Sequence, residues 1–354
     1  MKIQIINSQG HWDNGWFLDT TSLKVVIEVF TKAGFLVQVD EVTNVQELNN
    51  VLDQVTPNTL VWSNAYYVNA SNNQVIWLND LIEQRGLPLI GSGATTLRQV
   101  LNKDECQSIL DQANIPIPDH LVITAEQIEN LEALIATSGI GFPMILKPTS
   151  ESSSIGVVKA HHLSEAVDCA REILHRFPWS HLIIEEFIPG EEFTCGVVQL
   201  GDAMCLLPTY YELEDILDRE TRLNAWNEGG KAQLIITNEQ IKNQLKLYMS
   251  SVVQALNIQD MSRVDGRIDE HGTVRFFDVN GLPGLAFPRS ISIKQCLACF
   301  PDYTPKEVYE ALIYTLLHNT LLRYGLPVPL RLQEHHFFTL KSDLVVKGEM
   351  VSFD

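Results

Sequence analysis

Apolar residues follow two rhythms along this chain. Over the first 95 residues or so, short apolar runs at 3–7 (IQIIN), 35–42 (FLVQVDEV), 59–63 (TLVWS) and 88–92 (PLIGS) are separated by stretches with helical spacing. In the helix predicted over Thr21–Ala33, the apolar residues Leu23, Val26, Ile27, Val29 and Phe30 recur at the intervals one buried helix face requires. A second such stretch covers about Val75–Gln84. This alternation of strand and helix predicts a doubly wound parallel sheet. Beyond it, a helix over about Ala94–Gln112 carries Lys103 and stops at NIPIPD.

The pattern then changes. FPMILKP (142–148), VVKA (157–160), a helix at Ser164–Arg176 and HLIIEEF (181–187) form an α+β unit. CGVVQLG and AMCLLPTYY read as strands, Glu212–Lys231 is charged and poor in turn residues, and a long helix spans about Asn238–Asn257. RVDGRIDE and TVRFFDVN flank the Glu270-His271-Gly272 turn and predict a hairpin. Helices near Thr304–Tyr324 follow, and the tail from Pro327 has strand character at its end.

The chain has 354 residues, 45% hydrophobic and 19% charged, which excludes a disordered, collagen-like or purely coiled-coil protein and allows two or three packed domains. Its 25 Lys and Arg against 44 Asp and Glu give a net charge of −19. Such a surface repels nucleic acid and anionic lipid, so an anionic ligand must be held by a few placed cations. No run approaches the roughly 18 apolar residues of a membrane span, and the start turns polar after Ile6. A cytoplasmic location is expected. Six cysteines are too sparse for a disulfide scaffold; Cys296 and Cys299 form a CxxC with no second pair, and structural thiols are expected.

Two segments carry candidate chemistry. In Lys147-Pro148-Thr149-Ser150-Glu151-Ser152-Ser153-Ser154-Ile155-Gly156-Val157, a strand-end lysine precedes a small-residue loop and another strand. Such a loop lets backbone N–H groups approach polyphosphate while the lysine neutralises charge; a merely serine-rich hairpin loop is the alternative. In the predicted hairpin, period-two alternation puts Arg263 with Asp265 and Asp278 with Asn280. Two carboxylates and an amide oxygen suit Mg²⁺, whereas a solvated polar face is the bland reading. The continuation Gly281-Leu282-Pro283-Gly284 favours close approach of backbone to a ligand.

With Ile184-Glu185-Glu186-Phe187-Ile188-Pro189-Gly190-Glu191-Glu192-Phe193-Thr194 between them, these motifs resemble the ATP-grasp superfamily, and within it the D-alanine–D-alanine ligases, from about Pro88 to Tyr324. The resemblance implies a three-domain ATP-grasp fold of α/β and α+β units: an N-terminal domain (1–98), a central lid (99–180), a catalytic domain (181–330) and a tail (331–354). It implies ATP phosphates on Lys103 and Lys147, a loop with Ser153, Ser154 and Gly156 closing on the γ-phosphate, and nucleoside contacts at Glu185, Phe187, Ile188 and Glu192. It further implies Mg²⁺ (or Mn²⁺) on Asp265, Asp278 and Asn280, Arg263 at the developing oxyanion, and a homodimer acting on small molecules. Asp278 departs from the glutamate usual in that family.

The first-substrate side departs further. Instead of Gly-Gly-x-Ser-x-Glu, the first loop reads Asn7-Ser8-Gln9-Gly10-His11-Trp12-Asp13-Asn14-Gly15-Trp16; instead of His-Gly-x-x-Gly-Glu-Asp-Gly, a later loop reads Ser63-Asn64-Ala65-Tyr66-Tyr67-Val68-Asn69. The family's Lys-Tyr pair is not found in 210–231. Trp12, Trp16, Tyr66 and Tyr67 offer ring stacking, and His11 and Asn64 hydrogen bonds, to a larger first substrate; ordinary core aromatics are the alternative. Arg289 is expected to grip the second substrate's carboxylate. A nucleotide core with rebuilt loops also resembles the mycosporine-glycine ligases, which join serine or threonine to a vinylogous carboxylate. A dipeptide ligase and a non-catalytic nucleotide-binding module are the alternatives.

Overall fold

The computed structural model describes residues 1–8, 18–69, 75–211 and 233–340, and the backbone of 345–346. Three larger sheets and one two-stranded sheet organise the described residues. In the first, Lys2–Ser8 runs parallel between Leu36–Val42 and Thr59–Ser63. The 88–92 run, expected as a fourth strand, contributes a single parallel bridge from Leu89 to Val61. The Pro88 carbonyl accepts from the Val61 amide, but those of Leu89 and Gly91 serve elsewhere, accepting from Arg323. The first helix, Thr20–Lys32, starts where the Asp19 carboxylate accepts from the Ser22 amide at 2.7 Å, and it buries Val26, Val29 and Phe30. The 75–84 stretch divides: Val75–Trp77 pairs with Tyr67–Asn69 as a strand, and only Leu78–Gln84 is helical. A helix at Val45–Leu52, too short to stand out by periodicity, covers the same sheet.

The second sheet has the order His120–Ile123, Leu182–Glu186, Met144–Pro148, Val158–Ala160, all antiparallel. Its helices Leu131–Thr137 and Leu163–Arg176 close one core with it. Leu182–Glu186, counted by sequence with the catalytic domain, hydrogen-bonds here, between His120–Ile123 and Met144–Pro148. The change of sheet comes after it, at 187–190.

The third and largest sheet runs Gln233–Ile235, Ala203–Tyr211, Glu191–Leu200, Met261–Ile268, Val274–Asn280, and Val345–Val346 adds to Ala203–Tyr211. On one side it packs the helix Glu239–Ala255; on the other lies Pro305–Arg323. The latter opens with Pro305 after a Thr304/Glu307 capping box and is buried almost all round from Val308 to Leu321, the signature of a core helix. Cys296 and Cys299 lie on the helix Ile291–Cys299, buried as free thiols; burial pushes the Cys299 thiol up to about 12, which keeps it protonated and inert. No helix among the described residues is long and apolar enough to cross a membrane.

Candidate active site

A cleft of about 830 Å³, partly open to solvent, lies between the second and third sheets. Its floor and walls bring together residues far apart in the chain: Lys103, Lys147, Ser153, Glu185, Asp265 and Asp278.

Lys103 gets there because the helix expected over Ala94–Gln112 breaks. Asn102 leaves helical geometry (φ −92°, ψ 95°), and a new helix, Lys103–Gln112, begins with Lys103 as its first residue. The Lys103 amide donates to Thr149 O at 2.9 Å, and Ser150 Oγ to Asn102 Oδ1 at 3.2 Å, so the helix start is tied to the root of the serine loop. Its ammonium donates to the Glu151 carbonyl and sits 3.8 Å from Asp278 Oδ1. Lys147 projects from Met144–Pro148, only 4% exposed, and pairs with Glu185 Oε2 at 2.7 Å while donating to Phe277 O at 3.2 Å. Gln107 donates to the other oxygen of Glu185, so this carboxylate fixes Lys147. A buried cation this confined is already aimed.

The serine loop holds unusual backbone. Ser153 and Ser154 both have φ of 57°, in the left-handed region that costs non-glycine residues of order 1–3 kcal/mol each. Gly156 follows at φ 73°, where a Cβ would stand 2.9 Å from both Pro148 and Phe177, so no other residue fits. Ser153 and Ser154 line the cleft.

The hairpin pairs as its alternation predicts: Arg263 faces Asn280 and Asp265 faces Asp278, with a bulge after Asp265. Asp265 is saturated. Its Oδ1 accepts from Thr194 Oγ1 (2.6 Å) and Arg263 Nε (3.0 Å), and its Oδ2 from Arg263 Nη2 (2.9 Å) and Asn280 Nδ2 (3.1 Å). Asp278 is the more open carboxylate, its side chain 29% exposed. The three side chains supply only hard oxygen donors, which fit Mg²⁺; Asp278 would engage it first, since all four lone-pair positions of Asp265 carry donors. Among the described residues no three His, Cys, Asp or Glu side chains cluster as a self-sufficient metal site, so substrate oxygens and water would have to complete the shell. Arg263 keeps Nη1 uncommitted to Asp265 and is held protonated: burial opposes its charge, but the adjoining Asp265 carboxylate outweighs burial.

Glu185, Phe187, Ile188 and Glu192, the residues expected at the nucleoside, line the same cleft. Sequence reasoning missed Arg267, Gln107 and Thr194. Arg267 is the next inward-facing position after Arg263 and Asp265, so alternation alone could have found it.

The first-substrate residues fare differently. Trp12, Trp16 and His11, and the 212–231 segment, lie outside the described residues. Asn64 is buried and its amide is engaged inside the first unit, accepting from the Leu18 amide at 3.3 Å and donating to Asn7 Oδ1 at 2.9 Å. Tyr66 is buried too, its ring edge-on to Trp77 and its hydroxyl accepting from the Leu282 amide at 3.4 Å; burial raises its ionisation above the ordinary tyrosine range. It braces the 281–284 turn rather than lining the described cleft. Gly284 ends that turn and is half-buried, and Arg289 is exposed just before Ile291–Cys299.

Paired sheets closing on two lysines and an acidic hairpin define an ATP-grasp ligase. The family model described as "D-ala D-ala ligase C-terminus" matches residues 109–296, and the chain belongs to that family. A D-alanine–D-alanine ligase from Haemophilus influenzae (strain PittEE) is 26% identical over 219 residues, 60% of this chain and 71% of that protein. Among solved structures, a D-alanine–D-alanine ligase from Bacillus anthracis complexed with ATP matches with a TM-score of 0.64 at 16% identity, covering 92% of this chain and 99% of that one. A D-Ala:D-Ser ligase from Enterococcus faecalis matches at 0.61 and 17% identity, covering 89% and 99%. These two likenesses establish the fold.

Proposed function

We propose that the protein activates a carboxylate by phosphoryl transfer from ATP and joins it to the amine of an amino acid, releasing ADP and phosphate, as D-alanine–D-alanine ligases do. The supporting observation is the convergence of Lys103, Lys147 and Asp278 on a single cleft. Lys103 and Lys147 offset phosphate charge, and the serine loop covers the terminal phosphate with its backbone N–H groups. Asp278, backed by Asp265 and Asn280, would hold Mg²⁺, which would supply charge neutralisation at the transferred group. Arg263 meets the oxyanion that develops as the amine attacks. Positioning and electrostatics carry the catalysis, and no side chain acts as a covalent nucleophile.

The test is substrate-dependent ADP release. Lys147→Ala and Asp278→Ala should each lower kcat by at least about 10³-fold while the protein stays folded by circular dichroism. Normal turnover in either would overturn the reading, and a non-catalytic nucleotide-binding module predicts no turnover in the parent protein.

The first substrate carries a second reading. The loops at 7–16 and 63–69 differ in sequence from the corresponding motifs of the dipeptide ligases. This favours a first-substrate pocket of different shape, as for a vinylogous carboxylate of the mycosporine-glycine type. The relatives favour D-alanine. ADP release with D-alanine alone supports the dipeptide reaction; release only when serine or threonine is supplied with mycosporine-glycine supports the other.

A further inference from the structure

Phe187 lies in the four-residue connection, 187–190, by which the chain passes from the central sheet to the large one. Two cations converge on its ring, one from each sheet. Lys159, on Val158–Ala160, brings its ammonium 3.9 Å from the ring centroid, and the Arg267 guanidinium, on Met261–Ile268, lies 4.8 Å from it. Each contact is a cation–π attraction. The two like charges are tolerated together because Glu192 pairs with Arg267 at 3.3 Å.

Arg267 does more than face the ring. Its Nη2 donates to Gly190 O at 2.7 Å, so one buried guanidinium touches the start of the connection (Phe187), its end (Gly190) and the first turn of strand beyond it (Glu192). Gly190 is pressed onto the same strand: at φ 134°, a Cβ there would stand 2.0 Å from Ile268 O. The connection is therefore held to the large sheet by Arg267 and to the central sheet by Lys159, and Phe187 is the shared point.

We propose that Arg267 is a positioning residue for the nucleotide: with Lys159 it clamps Phe187, fixes the 187–190 backbone against which the nucleobase is read, and so sets the angle at which the two sheets enclose ATP. The inference rests on the proposed binding of ATP in this cleft. Its rival is that Arg267 is simply one more phosphate ligand. Glu192 argues against that, since it neutralises Arg267, whereas Lys103 stands beside Asp278.

The two roles separate by ligand. Competition against a fluorescent ATP analogue gives the affinities of ATP and adenosine for the parent, Arg267→Met and Arg267→Lys proteins. Clamping predicts that Arg267→Met weakens ATP and adenosine by the same factor, about tenfold, with kcat changed less than about threefold; Arg267→Lys, which keeps a cation but loses the fork, should fall between. Lys159→Met should weaken both ligands too, and its combination with Arg267→Met should cost less than the product of the single effects. Loss for ATP with adenosine unchanged, or loss for neither, overturns the proposal. Amide exchange of residues 187–192 without nucleotide is the independent readout: faster exchange in Arg267→Met supports the clamp, unchanged exchange overturns it. If the parent protein binds neither nucleotide, the functional reading fails, and exchange alone decides the clamp.

Discussion

Two buried carboxylates five residues apart, Asp260 and Asp265, have the same chemistry and different tasks. Each is paired to an arginine at 2.9 Å, Asp260 to Arg323 and Asp265 to Arg263. Each accepts four hydrogen bonds. Those of Asp260 come from the Gly91 amide (2.6 Å), Asn319 (2.7 Å), Thr320 (2.9 Å) and Arg323, so it locks the last loop of the first unit to the core helix Pro305–Arg323. Those of Asp265 come from Thr194, Arg263 and Asn280, neighbours within the large sheet, and its outer surface faces the cleft. Saturating a buried carboxylate is thus a stability device in both places. Only the position of the second, beside Asp278 and Lys103, makes it part of a site.

The largest effects should come from removing the two charges. Asp265→Asn strands the buried Arg263 and should lower unfolding free energy by about 3–5 kcal/mol in urea titrations, whereas Asp260→Asn leaves a partly exposed Arg323 without its partner and should cost less, about 2–3 kcal/mol. Turnover separates them: for the folded fraction, Asp265→Asn should lose about 10²–10³-fold in kcat, whereas Asp260→Asn should stay within about threefold. Comparable loss of turnover in folded Asp260→Asn would break the distinction.

A finer probe is Thr194→Val, which keeps the side-chain shape and removes the hydroxyl that donates to Asp265 Oδ1 at 2.6 Å. About 1–2 kcal/mol of stability should be lost, the usual result of taking one donor from a buried charged acceptor. Because Asp265 lines the cleft and bonds Asn280, the Mg²⁺ dependence of ADP release should shift as well. Thr320→Val, the matching change at Asp260, should lower stability by a similar amount with the Mg²⁺ dependence unmoved. Parallel Mg²⁺ titrations of the two variants check this.

The same contrast explains what could be read from the chain. The partners of Asp265 lie on one hairpin and the adjacent strand, where period two decides which side chains meet, so Arg263, Asp265, Asp278 and Asn280 were legible as a set. Lys147 was legible because a serine loop marks it. The partners of Asp260 are 169 residues before it and about 60 after, and no local pattern connects them. The break at Asn102 escaped because both flanking helices share one apolar rhythm, and only the tertiary bond from the Lys103 amide to Thr149 shows why the helix must restart. The substrate role expected of Asn64 rested on loop position. The structure shows its amide engaged with Leu18 and Asn7, a use that no spacing rule reveals.

The smallest effect should be a pH dependence confined to the structural end. His318 lies on the core helix beside Asn319 and Thr320, its ring 5.2 Å from that of His336 in the tail, and its Nδ1 lies 3.2 Å from Leu332 O. Burial, with His318 close by, depresses the His336 pKa to about 4, and burial lowers that of His318 as well. Arg331 and Glu310 pair across the same contact of tail and helix, and their opposite charges offset one another. Since the folded protein holds His336 neutral while the unfolded chain takes up its proton near pH 6.5, protons favour unfolding. The stability contributed by the neutral ring is fully present above pH 6.5 and is lost as pH falls from 6.5 toward 4, by about 1 kcal/mol. Urea titrations at pH 7.5 and 5 should show this loss in the parent protein and a smaller one in His336→Gln. An equal loss in both would place the acid-sensitive group elsewhere, and a parallel fall in the Mg²⁺ affinity of the folded enzyme would mean that the two carboxylate clusters do not act independently.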